Sequence, residues 1–185
     1  MTPVKKTAFI ISTFIIPFIA FSQITFVKGY IVTLNGDTLK GEIKMNPKKE
    51  IDKFTKVFFK DESGVQKNYK PDKVKAYGFE GNHFIASKYE GEMMFYKILA
   101  NGKIMLYEMM YEMQQMNDIV FKSEYYLATK GATEFEKLKQ NKYKKQLSEL
   151  MKDNAEIISG DEEKKFEIEK VTEIVNQYND WAKNN

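Results

Sequence analysis

The stretch GYIVTLNGDTLKGEI, residues 29–43, predicts how the chain folds beyond its N-terminal segment. Asn35-Gly36 is a strong signal for a two-residue hairpin turn, because a type I′ turn needs positive φ at both central residues. Pairing the flanks across this turn places Tyr30 opposite Gly41, where the tyrosine ring would cover the bare backbone of the glycine. The stretch therefore predicts an antiparallel hairpin.

This register also predicts which face of the hairpin is buried, because side chains alternate across a strand. The face expected to be apolar carries Ile24, Phe26, Tyr30, Val32, Leu34, Leu39 and Ile43. Ile31 falls on the other, polar face as an exception. A glycine-rich phosphate loop is the alternative, but it requires a helix directly after the loop, and here a strand pattern follows.

The same kind of hairpin signal recurs further along the chain. Residues 79–84 predict a hairpin around Gly81-Asn82, with Phe79 opposite Phe84. Residues 95–107 predict another around Asn101-Gly102, and residues 56–69 predict a hairpin with a longer loop. Aromatic and β-branched residues are dense between these turns. The spacing predicts an antiparallel β-meander or small β-barrel of about seven to eight strands, within a β-rich domain spanning residues 23–130.

The pattern becomes helical in residues 131–185, for which we predict a pair of α-helices that packs on or beside the β domain. Capping boxes are expected at Thr133 with Glu136, and at Ser159 with Glu162. The second helix carries an apolar stripe of Ile168, Val171, Ile174, Val175, Tyr178 and Trp181. The stripe could bind a partner helix or a membrane surface. Packing on the sheet or on the first helix is the interpretation we favour, giving an α+β fold overall.

The first 22 residues are typical of a secretory signal peptide. Lys5 and Lys6 precede an apolar run of 15 residues, and small residues stand two apart at Ala20 and Ser22. We expect cleavage between Ser22 and Gln23. A retained membrane anchor is the alternative, although a spanning helix needs about 20 apolar residues. We therefore expect a periplasmic, cell-surface or secreted protein, which meets a membrane only if this segment is retained.

Composition excludes several function classes. All 29 basic residues are lysine, and loss of Lys5 and Lys6 would lower the net charge from +3 to +1. Arginine is the usual residue for bidentate contacts to phosphate and guanine, so nucleic-acid binding is not expected. The chain has no cysteine, which excludes disulfides and thiolate metal sites. No cofactor is expected.

Candidate catalytic residues are few. His83 is the only histidine and is expected to be a surface residue at a turn, with Ser87 about 13 Å further along the same strand. Acid pairs that could serve a carboxylate-based hydrolase of the cell envelope are Glu90 with Glu92, and Glu108 with Glu112. We favour a non-catalytic module that interacts with an envelope protein or binds a small ligand, and the hydrolase is the alternative.

Methionine offers a second alternative. Seven of the ten methionines lie between Met93 and Met116, and thioethers are soft ligands that suit Cu(I). The candidate Cu(I) ligands are Met109, Met110, Met113 and Met116. Methionine also fills irregular cores, which is its commoner use.

The order of these features resembles a family of uncharacterised small secreted proteins common in Bacteroidota. The resemblance is carried by the export signal and by a series of motifs along the chain: GYIVTLNGDTLKGEI (29–43), YKPDKVKAYGF (69–79), KILANGKIMLYE (97–108), EYYLATKG (124–131) and IVNQYNDW (174–181). Many members carry cysteine near the positions of residues 153–155 and of Trp181, whereas this chain has none. The resemblance implies export and the architecture above, and it implies no particular activity.

Overall fold

A computed structural model describes residues 24–89, 91–159 and 165–185. Ten strands of the described residues form one antiparallel sheet in the order β10-β9-β8-β7-β6-β5-β1-β2-β3-β4. The strands are β1 Thr25–Thr33, β2 Thr38–Met45, β3 Val57–Asp61, β4 Gln66–Tyr69, β5 Val74–Phe79, β6 Asn82–Tyr89, β7 Glu92–Ala100, β8 Ile104–Gln115, β9 Asp118–Thr129 and β10 Glu136–Lys137. The α-helices are α1 Asp52–Thr55, α2 Tyr143–Leu150, α3 Glu156–Ser159 and α4 Ile168–Lys183, and a 3₁₀ turn spans Lys152–Asn154.

The predicted class is confirmed at the level of an antiparallel β-rich sheet with a few helices. The strand number is wrong, because the described part of the chain contains ten strands instead of seven to eight. The barrel is also wrong, because the sheet is open and its edge strands, β4 and β10, do not pair with each other. Strand β1 pairs with both β2 and β5, so two meanders meet along it.

The first hairpin differs from its prediction by one residue of register. Thr33 N–H donates to the Asp37 carbonyl at 2.9 Å, which closes a three-residue loop over residues 34–36, with Gly36 at φ +100°. Tyr30 pairs with Lys40 instead of Gly41. A one-residue shift moves every side chain of one strand to the other face. Consequently Ile31, the predicted exception, is fully buried.

The predicted apolar face is therefore wrong in its membership. The cross-strand pairs place Leu39 and Ile43 on the face of β2 that carries Ile31. Of the other predicted members, Ile24, Phe26 and Leu34 are exposed, and Tyr30 and Val32 are half-buried. Tyr30 does cover a glycine, but that glycine is Gly78 on the neighbouring strand β5, with which it pairs.

The hairpin between β5 and β6 is shifted by two residues from its predicted register, which leaves its side chains on their predicted faces. Its turn residues are Glu80 and Gly81, at φ +47° and +77°, which is the pair of positive values that a type I′ turn requires. Phe79 therefore pairs with Asn82 and not with Phe84. Phe84 instead pairs with Tyr77, and their rings stack with centroids 4.6 Å apart. The turn at Asn101-Gly102 and the longer loop between β3 and β4 lie where they are predicted.

The apolar core forms clusters along the length of the sheet. Phe54 of α1 packs on the cluster formed by the N-terminal strands and β5 to β7: Ile31, Ile43, Val57, Phe59, Val74, Tyr77, Phe79, Phe84 and Phe95. The C-terminal helices share a second cluster with β7, β8 and β9. A third cluster, around Tyr96, Tyr107 and Tyr126, involves Phe135 from the segment before β10.

The first predicted helix is shorter than expected. Glu136 and Lys137 form β10, which pairs with Leu127 and Tyr126 at the edge of the sheet, so the capping box at Thr133 and Glu136 is wrong. The physical reason is tertiary: Phe135 stacks on Tyr107 at 4.5 Å between ring centroids, which holds this segment against the sheet. Helix α2 begins at Tyr143.

The apolar stripe on α4 lies in the core. Val171, Ile174, Val175 and Tyr178 are at most 2% exposed. The outer members, Ile168 and Trp181, are partly buried against the same cluster. The stripe thus packs on the sheet and helices, which is the interpretation favoured above. No helix in the described ranges has the length and apolar character needed to cross a bilayer.

Three predicted features fall outside the described residues. They are the signal segment of residues 1–22 with its cleavage site at Ser22 and Gln23, the acid Glu90, and the Glu162 half of the second capping box.

Candidate functional site

Strands β7 and β8 pair only over a short distance. Bridge partners run from Ala100 with Leu106 to Lys97 with Glu108, and the pairing stops there. Strand β8 continues to pair with β9 as far as Gln115. Within the described part of the chain, residues 109–115 of β8 are therefore paired on one side only. Unpaired backbone N–H and C=O groups along such an edge are a template for another strand.

A groove of about 460 Å³ lies where the two strands separate. We call it the tyrosine groove; its lining residues are Glu92, Met94, Tyr96, Met109, Tyr111, Glu124, Tyr126 and Lys137. Alternation along the strands brings these side chains to one face, because Met109 is paired with Glu124, and Tyr107 with Tyr126. The lining is thus mainly aromatic and thioether, with a few charged groups, as is usual for a binding groove.

The aromatic floor of the groove is rigid. Tyr96 and Tyr126 are fully buried and meet edge to face, with ring centroids 5.5 Å apart. Phe135 also meets the Tyr96 ring edge to face, at 5.2 Å. Tyr96 and Tyr126 have no exposed surface, so they fix the shape of the groove while other lining residues contact a ligand.

Glu124 is the polar centre of the groove. Its carboxylate accepts hydrogen bonds from Tyr111 Oη at 3.0 Å, from Tyr126 Oη at 2.7 Å and from Lys137 Nζ. Burial alone would raise the pKa of the Glu124 carboxyl, but the three hydrogen bonds outweigh it and the pKa is lowered. Burial, together with the bond to Glu124, raises the pKa of the Tyr111 phenol. Glu124 is therefore an ionised acceptor that orients two phenols.

This arrangement suits binding better than acid–base catalysis. Of the residues that the structure describes, the carboxylates that line the groove are Glu92 and Glu124. Glycoside hydrolysis by two carboxylates needs one of them to be protonated near neutral pH, which requires a raised pKa. Glu124 is shifted in the opposite direction, and Glu92 is exposed at the start of β7.

The histidine candidate lies outside the groove. His83 is exposed on β6, as predicted, and its Nδ1 lies 2.8 Å from Tyr30 Oη. Ser87 is four residues further along β6, about 13 Å away on an extended strand. The structure does not bring His83 and Ser87 together.

The other acid pair does not converge either. Glu108 accepts a hydrogen bond from Ser123 Oγ at 2.8 Å. Glu112 is exposed four residues further along β8, again about 13 Å away. Glu92, from the remaining pair, reaches the tyrosine groove, and its partner Glu90 is not described.

Strand β8 separates the methionines that could bind Cu(I). Met109 lies in the groove, whereas Met110 points to the opposite face and packs against the cluster around Phe54. Met113 shares the face of Met109 but lies about 13 Å along the strand. Met116 is 91% exposed in the turn between β8 and β9. The four thioethers therefore do not form one ligand set in this conformation.

Glu124, Tyr111, Tyr126 and Lys137 are absent from the candidates that the sequence suggests. The alternation of Tyr107, Met109 and Tyr111 along one strand is a signal that could have pointed to this face. Lys137 reaches Glu124 because it lies on strand β10, a segment that the sequence pattern predicts to be helical.

In the described ranges no group of three or more His, Asp or Glu residues is placed to hold a metal ion. Comparisons of the chain with protein-family models, with curated proteins and with solved structures find no match. The family resemblance carried by the sequence motifs therefore stays a prediction.

Proposed function

We propose that the protein is an exported, non-catalytic interaction module that binds an extended peptide segment of an envelope protein alongside β8. The observation that carries the proposal is the one-sided pairing of residues 109–115, directly beside the tyrosine groove. Strand addition is a common mode of peptide recognition, in which backbone hydrogen bonds supply affinity and alternate side-chain pockets supply specificity.

The tyrosine groove supplies the side-chain contacts that the unpaired backbone edge of β8 lacks. Each backbone hydrogen bond contributes only about 0.5–1.5 kcal/mol net, so a short strand needs side-chain contacts as well. An added strand presents every second side chain to one face. Those side chains would meet the ring of Tyr111 and the thioethers of Met94 and Met109, since Tyr96 and Tyr126 have no exposed surface. Aromatic residues and methionine are enriched in such contacts.

The export part of the proposal rests on the sequence of residues 1–22 and on the family resemblance. Export makes an envelope protein the expected partner, at the cell surface or in the periplasm. The lack of arginine argues against nucleic acid as the ligand.

The test is selection from a random peptide library on the protein, expressed from its complete coding sequence in an exporting bacterial host. Selected peptides are then titrated against the protein, its Tyr111→Ala variant and a matched Phe26→Ala variant. Phe26 is an exposed aromatic residue on β1, which β5 and β6 separate from β7. We expect Tyr111→Ala to weaken binding by about tenfold or more, as is typical of an aromatic anchor. Phe26→Ala should leave the affinity unchanged.

Equal loss of affinity in both variants, or selection of no peptide, would contradict peptide binding in this groove. Chemical-shift mapping supplies a second readout that does not depend on any variant. Bound peptide should perturb the amides of residues 92–96 and 109–115 before those of β1 and β2.

The presence of Glu92 and Glu124 in one groove keeps the carboxylate-based hydrolase as a second candidate. A panel of chromogenic glycosides and esters tests it directly. Turnover that Glu124→Gln abolishes, while Glu112→Gln leaves it intact, would favour the hydrolase over the peptide-binding module.

A further inference from the structure

The outer edge of β9, on the side away from β8, is unpaired over much of its length. Strand β10 pairs with this edge only at Tyr126 and Leu127. Among the residues that the structure describes, 118–124 of β9 therefore have a strand partner on the β8 side only. We call residues 118–122 the β9 edge.

The backbone of β9 points alternately towards β8 and outward. In an antiparallel pair the N–H and C=O of one residue point to the same side, and successive residues alternate. The Leu138 N–H donates to the Tyr125 carbonyl at 2.8 Å, on the outer side. Ile119 and Phe121 belong to the same odd-numbered series, and the β8–β9 register is continuous along the whole of β9. Their N–H and C=O groups are therefore presented outward, as a template for another strand.

The apolar side chains of the β9 edge are open to solvent. Ile119 is 66% exposed and Phe121 is 55% exposed, and alternation places both on one face of the strand. Large apolar side chains beside an unpaired edge mark an interaction surface. In addition, residues 109–124 of the β8–β9 hairpin have backbone pairing only with one another in the described part of the chain. A two-stranded hairpin is marginally stable alone, so a further strand would stabilise it.

Asp118 and Lys122 stand at the two ends of the β9 edge. Both side chains are exposed, and neither forms an ion pair with another described residue. They share a face of the strand but lie about 13 Å apart along it, so they do not pair with each other within one chain. The β9 edge thus carries an acid, three apolar residues and a base, in an order that is complementary to its own reverse.

We propose that the β9 edge pairs with the same edge of a second copy of the chain, antiparallel about a two-fold axis at Val120. This register sets Asp118 of each copy opposite Lys122 of the other. It also sets Ile119 opposite Phe121 of the second copy, and this pair exchanges backbone hydrogen bonds in both directions. Each contact occurs twice, because the interface is symmetric.

Charge favours this register over its neighbours. An axis at Phe121 would place Asp118 opposite Glu124 of the second copy, and like charges directly opposite each other are destabilising. An axis at Ile119 would place Phe121 opposite Asn117 of the second copy and would leave the edge charges unpaired. An arbitrary strand would also leave these charges unpaired, so the edge fits a second copy better than an unrelated segment.

The interface is small, with one strand from each copy, so we expect a dimer that dissociates on dilution. The peptide-binding proposal uses the opposite side of the hairpin, along β8. Either proposal can therefore fail without affecting the other.

The first experiment is sedimentation velocity over a concentration series, on the protein expressed from its complete coding sequence in an exporting host. We expect a reversible equilibrium between monomer and dimer. Phe121→Ala should weaken the dimer about tenfold or more, because an aromatic contact is lost twice. Phe26→Ala is the matched control, since Phe26 is an exposed aromatic residue on β1, and it should leave the equilibrium unchanged.

Charge reversal tests the register. Asp118→Lys and Lys122→Asp should each weaken their own dimer about tenfold or more, because every ion pair becomes a pair of like charges. An equimolar mixture of the two variants should dimerise again, because each variant then meets its opposite charge. This rescue also shows that both variants are folded. Glu112→Lys reverses an exposed acid on β8 and should leave the dimer unchanged.

Cysteine crosslinking locates the axis, because the chain has no cysteine of its own. The two copies of Val120 would face each other with Cα atoms about 4.5 Å apart, which a disulfide can span. Val120→Cys should therefore give a disulfide-linked dimer with oxidised glutathione. Gln114→Cys, exposed on β8, should give none.

Several results would overturn the proposal. A monomer at every concentration would exclude the dimer. Equal effects of Phe121→Ala and Phe26→Ala, or a mixture of the charge variants that stays monomeric, would assign any dimer to another surface. Phosphatidylcholine vesicles that bind the monomeric protein, and lose that binding in Phe121→Ala, would assign the exposed side chains to a lipid surface instead.

Discussion

Asn179, near the C-terminus, makes two hydrogen bonds to the backbone of Ile104, at the start of β8. Its Oδ1 accepts from Ile104 N–H at 2.8 Å, and its Nδ2 donates to the Ile104 carbonyl at 2.7 Å. Asn179 is only 3% exposed, so both bonds are shielded from water. The side chain also fills the space above Gly102, where an added Cβ would lie 2.3 Å from Asn179 Cγ. Helix α4 thereby holds the turn from which the long β8–β9 hairpin extends.

We expect Asn179→Ala to lower the free energy of unfolding by about 2–4 kcal/mol. The substitution leaves a buried N–H and a buried C=O without partners, and each such group costs about 1–3 kcal/mol. Urea unfolding followed by circular dichroism measures the effect. Asn184→Ala is the control, because its exposed side chain makes a single bond, to the Asp180 carbonyl. A similar small loss in both variants would argue against a role for Asn179 in holding the turn.

Gly78→Ala should destabilise the protein through Tyr30. A Cβ on Gly78 would lie 2.7 Å from Tyr30 Cε1, so the ring would have to move. Overpacking of this kind typically costs about 1–3 kcal/mol. A double-mutant cycle with Tyr30→Ala isolates the contact. The cost of Gly78→Ala should largely disappear once the ring is removed, and an unchanged cost would mean that the backbone itself rejects the methyl group.

Glu124→Gln should change how stability depends on pH. Hydrogen bonds hold the pKa of Glu124 below its ordinary value of 4.5 in the folded state, so its ionised form stabilises the fold. This contribution is fully present above about pH 4.5 and is lost as the pH falls through the folded-state pKa. In thermal melts from pH 7 to pH 3, the difference in melting temperature between the unsubstituted protein and the Glu124→Gln variant should therefore shrink in acid. Glu112 is exposed on β8, so the melting temperature of Glu112→Gln should depend on pH in the same way as that of the unsubstituted protein.

The processed N-terminus tests the proposed export. Mass spectrometry of the protein purified from an exporting host should find Gln23 as the first residue. A bulky residue before the cleavage site blocks small-residue recognition, so Ser22→Tyr should accumulate as the longer precursor. An intact Met1 in the membrane fraction would instead indicate a retained anchor.

The sequence predicted the type of sheet better than its pairing. Asn35-Gly36 and Gly81-Asn82 each mark a real turn, but the first hairpin is shifted by one residue from its predicted register and the second by two. Both Asn-Gly and Glu-Gly can supply positive φ, so local preference alone cannot choose between neighbouring registers. The observed registers bring the Tyr30 ring onto Gly78 of β5 and stack the Tyr77 ring on its cross-strand partner Phe84, contacts that the turn residues alone do not specify.

The candidate groove could be predicted only in part. Tyr107, Met109 and Tyr111 alternate on one strand, and this pattern is visible in the sequence. Glu124 becomes the polar centre only because β10 brings Lys137 to it. The segment before β10 has a helical pattern, and the stacking of Phe135 on Tyr107 overrides that preference.

Amide hydrogen exchange along β8, followed by NMR, tests the central claim most directly. If residues 109–115 are paired only with β9, alternate amides in this segment should exchange fast, whereas those of residues 106–108, paired on both sides, should be protected. The fast amides should become protected when a selected peptide binds. Uniform protection of residues 109–115 in the free protein would mean that the edge is already occupied, and would contradict strand addition at this site.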